Sequence, residues 1–248
     1  MMKQSKESVV KSISSRAVIV TGSTRGIGLA TAAEFLKNGD KVTIFCRHQD
    51  HVDEAVEQLS EITGLSKVSQ NILGLVGDVR VSSDVRELVD IALRNFGRID
   101  VLVNNAGIAV WRLIEHTSEH EWDDVLDTNL KGSFLFMREV MPIMKKQGSG
   151  IIINISSDLG VEGQAKYSAY SASKFGQIGL TQVVADETRD TDIKVYAVLP
   201  GGVATKLHLD IHPWEDPSEM MTPEYVAKEI FQVAEGKGRS GESIEVYY

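Results

Sequence analysis

The chain has 248 residues, 42% of them hydrophobic, which is enough to bury a substantial core as one large α/β domain. A formal net charge of −9 and a pI near 5.2 argue against a nucleic-acid groove or an anionic membrane surface. The single cysteine excludes an internal disulfide, and no apolar run approaches the roughly 20 residues that cross a bilayer.

From the N-terminus, residues 1–15 read as a polar extension. They carry lysines, but only the Val9-Val10 pair stands where a signal peptide needs a continuous apolar segment. A soluble, cytoplasmic protein is the simplest expectation. After that, short β-branched runs alternate with stretches of helical period, the pattern of a parallel sheet covered on both faces. Strands are predicted at about Ala17–Thr21, Lys41–Cys46, Ile72–Gly77, Ile99–Val103, Gly150–Ile155, Ile193–Val198 and Ser243–Val246. Helices are predicted at about Gly26–Asn38, Asp50–Glu61, Ser82–Phe96, Ser118–Lys146, Tyr167–Asp190 and Pro223–Ala234. The expected architecture is α/β, a doubly wound parallel sheet within a single domain over 16–248. Right-handed crossovers then bring every strand-to-helix turn to one edge, where open sheets bind ligands. Cys46 closes the apolar run from Val42 and reads as a small core residue. The stretch Lys206–Met221 breaks the alternation with two prolines and is the expected substrate loop.

Gly22, Ser23, Thr24, Arg25, Gly26, Ile27 and Gly28 follow the first strand and open the first helix. Gly22 permits a tight turn, Gly26 lets a phosphate approach the backbone, and Gly28 allows close packing. The helix N-terminus would supply N–H groups to a pyrophosphate. At the tip of the second strand stands Arg47, with no acid to accept from an unmodified ribose; Asp50 and Asp53 lie too far along. Arg25 adds a second cation, and the pair favours NADP(H) over NAD(H). Asp78 and Val79 after the third strand are candidates to hold the adenine edge. Asn105, Ala106 and Gly107 after the fourth bring small residues beside the cofactor and an amide that can tie strands together, although plain turn chemistry also uses these residue types.

Tyr170 precedes Lys174 by one helical turn, so both share a helix face. An ammonium beside a phenol favours the phenolate and lowers its pKa, which suits a tyrosine to proton transfer. Ser157, 13 residues before Tyr170, is the candidate beside it. Tyr167 and Ser156 compete, but Tyr167 is followed one turn later by Ser171, and only Tyr170 has the lysine.

These motifs, in this order, resemble the short-chain dehydrogenase/reductase family of the classical type. The resemblance runs from about Arg16 to Thr205, through TGSTRGIG, GDV, NNAG, Asn129, Asn154-Ile-Ser-Ser157, YSASK and the segment Pro200-Gly201-Gly-Val203-Ala-Thr205. It implies a three-layer Rossmann fold with a seven-stranded sheet, and a homotetramer or homodimer built partly on the two long helices. It also implies roles: Tyr170 as general acid or base, Lys174 on the nicotinamide ribose, and Ser157 on the substrate oxygen. Asn129 would anchor a water beside Lys174 as a proton relay. Val203 and Thr205, after the cofactor-side pair Pro200 and Gly201, would hold the nicotinamide carboxamide by backbone and hydroxyl contacts.

On the substrate side, Trp111, Leu159, Tyr167 and Trp214 are candidate apolar walls, with Arg112, Asp158 and Gln164 as polar selectors; a subunit contact is the other reading of the two tryptophans. His208 and His212 have the spacing of metal ligands but no third partner, so no metal is expected. The leading expectation is an NADP(H)-dependent reductase or dehydrogenase of a small to medium ketone or secondary alcohol. A 3-oxoacyl-carrier-protein reductase is the sharper version. Against it, Pro142 and Thr191 stand where that subfamily docks its carrier through arginines. A non-catalytic dinucleotide-binding protein and an epimerase or dehydratase on the same fold are the remaining readings.

Overall fold

The computed structural model describes residues 15–65 and 70–248. The predicted polar extension lies outside these residues apart from Ser15. Seven strands are formed by the described residues: β1 (Ala17–Thr21), β2 (Lys41–Cys46), β3 (Ile72–Val76), β4 (Val101–Asn104), β5 (Ser149–Ile155), β6 (Asp192–Pro200) and β7 (Ser243–Val246). They make one parallel sheet in the order β3-β2-β1-β4-β5-β6-β7. The helices are α1 (Gly26–Lys37), α2 (Gln49–Thr63), α3 (Ser82–Phe96), α4 (Glu119–Leu126), α5 (Gly132–Gln147), α6 (Ser168–Glu187), α7 (Lys206–Ile211) and α8 (Pro223–Ala234).

Strand alternation divides the core into two layers, because successive side chains leave a strand on opposite faces. Val18 and Val20 of β1 pack with Phe35 and Leu36 of α1, Leu59 of α2 and Ile230 of α8. Ile19, between them, joins Leu88 of α3, Phe136 and Met144 of α5 and Val184 of α6 on the other side. The result is the expected three-layer α/β arrangement. Winding runs outward from β1 through β2 to β3, then restarts at β4 on the other side of β1. The crevice at this switch point, beyond the carboxyl ends of β1 and β4, is where such sheets take a ligand.

Two segments depart from the predicted pattern. The helix expected over 118–146 keeps a helical path but widens to π geometry over Asp127–Lys131, between α4 and α5. A π turn inserts an extra residue, and it turns Asn129 into the interior, fully buried. The loop expected over 206–221 carries order of its own: α7 and a 3₁₀ turn at Pro217–Glu219. Thr205 starts α7 by accepting the His208 N–H at 3.3 Å, and Asp216 caps the 3₁₀ turn through the Ser218 N–H at 2.8 Å. Among the described residues no helix is long and apolar enough to cross a membrane.

Candidate active site

A cleft of about 1000 Å³ opens at the switch point and runs from the tip of β2 to α7. At one end the glycine turn is built by close approach. Gly22 has φ +60°, and a Cβ there would lie 2.8 Å from Ala106 Cα. Gly26 has φ +55° and faces Thr205, while a Cβ on Gly28 would strike Asn105 Nδ2 and Gly22 O, each at 2.4 Å. Only glycine fits this path. Asn105 holds the turn in place: its Nδ2 donates to Thr21 O at 2.9 Å and Gly22 O at 3.0 Å, and Thr21 Oγ1 accepts both the Asn105 and Ala106 N–H groups. Thr24, Arg25, Gly26 and Ile27 line the cleft at the start of α1. The cradle and helix N-terminus fit a pyrophosphate.

Several expected cofactor contacts take a different form. Ser23 is fully buried, and its hydroxyl accepts the Phe45 N–H at 3.1 Å, so its side chain ties the turn to β2 rather than facing the cleft. Asp78 lines the cleft, yet its carboxylate is held by Arg80 through Nε at 3.0 Å and Nη2 at 2.7 Å, and by the Arg80 N–H at 2.9 Å. Although its partial burial opposes this, these bonds and the neighbouring Arg47 charge lower the Asp78 pKa below the ordinary carboxylate value. An adenine contact through that carboxylate therefore competes with an existing ion pair. Val79 is buried and contributes to the cleft floor. Cys46 is half-exposed on the cleft wall, not in the core, because its strand ends at the crevice and its Sγ meets the His48 backbone. Arg47 is exposed beside it.

At the centre of the cleft, β5 delivers Ser157 and the first turns of α6 deliver Tyr170 and Lys174. Gly107, Pro200, Gly201, Val203 and Thr205 close the same region. Lys174 Nζ donates to Ile155 O at 2.7 Å and Gln177 Oε1 at 3.0 Å, and lies 5.4 Å from the Tyr170 ring centre. Ser156 packs behind, donating to Lys174 O at 3.0 Å. The expected lowering of the tyrosine pKa is overturned. Burial pushes Tyr170 up to about 12, and a hydrogen bond with Ser157 pulls only partly against it. Burial alone brings Lys174 down to about 7, which weakens the charge that was to favour the phenolate.

Asn129 is also placed differently from the expected water anchor. Its carbonyl accepts from Gln177 Nε2 at 2.9 Å and Ser133 Oγ at 2.8 Å, which uses both lone pairs. Its side chain is spent on Ile108, through N and O, and on Ser173 Oγ. Gln177, fully buried, thus links Lys174 to Asn129 directly. Sequence reasoning missed Gln177, although its position three residues after Lys174 on α6 was a usable signal.

The substrate end is lined by Leu159, Gln164, Tyr167, His208, His212 and Glu215, with Asp158 between it and Ser157. Trp111 and Trp214 are not its walls; they pack on each other at 5.7 Å and against His212 at 5.6 and 5.2 Å. His212 Nε2 meets the Tyr167 hydroxyl at 2.5 Å, and His208 Nε2 meets Glu215 Oε2 at 2.8 Å. Arg112 is drawn off to Glu121 at 2.8 Å.

The family model described as short chain dehydrogenase matches residues 16–216. The chain is 36% identical over 193 residues to the 3-oxoacyl-acyl-carrier-protein reductase FabG of Staphylococcus epidermidis, covering 77% of each. It is 35% identical over 195 residues to the 3alpha-hydroxysteroid dehydrogenase of Mediterraneibacter gnavus, covering 79% of this chain and 76% of that protein. Among solved structures it resembles a variant of actinorhodin polyketide ketoreductase with NADPH (TM-score 0.86, 30% identity, 94% and 95% coverage). Levodione reductase is similarly close (TM-score 0.84, 27% identity, 93% and 95% coverage).

Proposed function

The chain belongs to the short-chain dehydrogenase family of oxidoreductases, and from that premise we propose that it is an NADP(H)-dependent enzyme acting on a ketone or secondary alcohol, with Tyr170 as general acid and base. The observation that carries this reading is convergence: Tyr170, Lys174 and Ser157 line the same cleft as the glycine cradle. When bound, the nicotinamide supplies or takes the hydride. Tyr170 exchanges the proton with the substrate oxygen. Lys174, fixed by Ile155 O and Gln177 Oε1, turns its remaining donor capacity to the ribose and the tyrosine. Ser157 lines the cleft beside Tyr170, on the side where the substrate oxygen would lie. Arg25 and Arg47 favour a 2′-phosphate. Pro200, Gly201, Val203 and Thr205 flank the carboxamide.

Residues 16–248 act as one catalytic unit in the cytoplasm. A homotetramer or homodimer built on α5 and α6 is supported by the exposed Phe134, Phe175 and Val183 on those helices. The relatives named as 3-oxoacyl-acyl-carrier-protein reductases favour a 3-oxoacyl thioester as second reading. Pro142 and Thr191, both exposed and uncharged, offer no arginine for an acidic carrier.

The test is NADPH oxidation across ketones, diketones, keto-sugars and free or carrier-bound 3-oxoacyl thioesters, with Tyr170→Phe as the blank. Turnover is expected in one class, with the variant slower by orders of magnitude at little-changed NADPH affinity. Near-normal turnover by Tyr170→Phe would remove Tyr170 from the chemistry.

A further inference from the structure

Asp158 brings into the cleft a carboxylate that the proposed reaction does not use. It is half-buried at the start of the 3₁₀ turn Asp158–Gly160 and lines the cleft between Ser157 and the substrate end. One of its oxygens is committed: Oδ1 lies 2.7 Å from Ser157 Oγ and accepts the Leu159 N–H at 2.8 Å. The other is not. Oδ2 has no hydrogen-bond or ion-pair partner among the described residues, and it lies 3.7 Å from where a Cβ on Gly201 would stand.

The cations of the substrate-side segments are engaged elsewhere. Arg112 pairs with Glu121 at 2.8 Å, Lys206 pairs with Asp210 at 2.8 Å, and Lys166 sits 3.8 Å over the Trp111 ring. Both imidazoles are taken as well, His208 by Glu215 and His212 by the Tyr167 hydroxyl. The Tyr167 pKa is raised first by burial and then by the charges of Glu215 and Asp158, in keeping with a negative field at this end of the cleft. A ligand that fills the cleft displaces the water around Oδ2, and a carboxylate stripped of water costs free energy unless a donor replaces it. A ligand that brings its own carboxylate adds repulsion instead.

Spacing decides where on the ligand that donor belongs. Ser157 lies on the side of the substrate oxygen, and the Asp158 carboxylate is one hydrogen bond away from Ser157 Oγ. We propose that Asp158 is a specificity-determining residue, and that the substrate is a ketone bearing a hydroxyl or ammonium group within about two carbons of the carbonyl. The shared chemistry is a hydrogen-bond donor received by Oδ2. In the oxidative direction the substrate is the corresponding diol or amino alcohol. The inference rests on the reading that this cleft reduces a ketone or oxidises a secondary alcohol.

The experiment compares kcat/KM with NADPH for matched ketones on aliphatic and aromatic skeletons: the plain ketone, its hydroxy and amino derivatives, and the keto acid. Wild type, Asp158→Asn and Tyr170→Phe are run side by side. In wild type the hydroxy or the amino ketone should exceed the plain ketone by on the order of ten- to a hundredfold, as for a hydrogen bond to a charged group, with the keto acid lowest. Asp158→Asn keeps an acceptor and loses the charge, so it should erase an amino preference, reduce a hydroxy preference and raise the keto acid relative to the plain ketone. If Asp158→Asn does not fold, the order of the four ketones in wild type decides alone. Equal values with and without the donor, or a keto acid that leads the set, would overturn the proposal and leave the reductase reading standing. So would a preference that Asp158→Asn keeps in full. Absence of Tyr170-dependent turnover on every skeleton would instead overturn the underlying reading.

Discussion

Lys174 places its ammonium between two neutral acceptors, Ile155 O and Gln177 Oε1, deep beside α6. Hydrogen bonds to neutral oxygens satisfy its donors but return little of the hydration that a charge gives up on burial. That imbalance brings its pKa from the ordinary 10.5 to about 7. The sign of the consequence for stability follows from proton counting. Between pH about 7 and 10.5 the unfolded chain binds a proton here that the folded chain lacks, so stability rises with pH across this window. It is lost again as pH falls toward 7, with a limiting slope of about 1.4 kcal/mol per pH unit for one proton. Tyr170, raised from 10.0 to about 12, acts in the opposite sense, but only above its unfolded value. Lys174→Met removes the first contribution and keeps the length of the side chain. Urea unfolding at several pH values between about 7.5 and 9.5 should therefore show a flatter dependence in the variant than in the parent. Parallel curves for the two proteins would mean that the folded state holds Lys174 charged throughout.

The short helix α7 is fastened to the start of α6 by one polar contact, the Tyr167 hydroxyl against His212 Nε2. Trp111 and Trp214 pack against the same imidazole, and Lys166 Nζ sits 3.8 Å over the Trp111 ring. Three elements distant in sequence thus meet at His212. His212→Ala is expected to raise the substrate KM about two- to tenfold, the worth of one net hydrogen bond, while NADPH affinity changes little. Faster limited proteolysis within 206–221 should accompany it. An unchanged KM and proteolysis rate would mean that packing of α7 on its other neighbours holds it alone. This latch was not legible in the sequence, where His212 offered only a spacing from His208. What was legible is local: the strands, most helices, the glycine turn and the Tyr170–Lys174 pair follow from periodicity and from residue types that few backbones accept. What was not legible depends on partners far along the chain. Ser23 turns to Phe45, and Asn129 turns inward on a π segment, because tertiary packing, not propensity, decides each.

At the scale of the molecule, the net charge of −9 would repel a dinucleotide that carries several phosphate charges. That repulsion is screened over about 8 Å at physiological ionic strength, so the charges lining the cleft decide whether the phosphates are accepted. At the β2 end of the cleft stand Arg25 and Arg47, while Arg80 is already paired with Asp78 and Asp124. Arg47 is exposed, and its charge is felt as far as Asp78, which places it on the cleft side of the strand tip. A 2′-phosphate bound there gains a charge-assisted bond from Arg47 that an unmodified ribose does not use. Arg47→Asp removes that bond and sets a carboxylate against the phosphate, while leaving the ribose hydroxyls of NADH a new acceptor. The ratio of kcat/KM with NADPH to that with NADH should fall by on the order of ten- to a hundredfold, as expected for a hydrogen bond to a charged group. The change should shrink as salt is added, because the phosphate side of the comparison is electrostatic. A ratio that stays at the parent value at low salt would show that Arg47 points away from the cofactor, and the proposed preference for NADPH would then rest on Arg25.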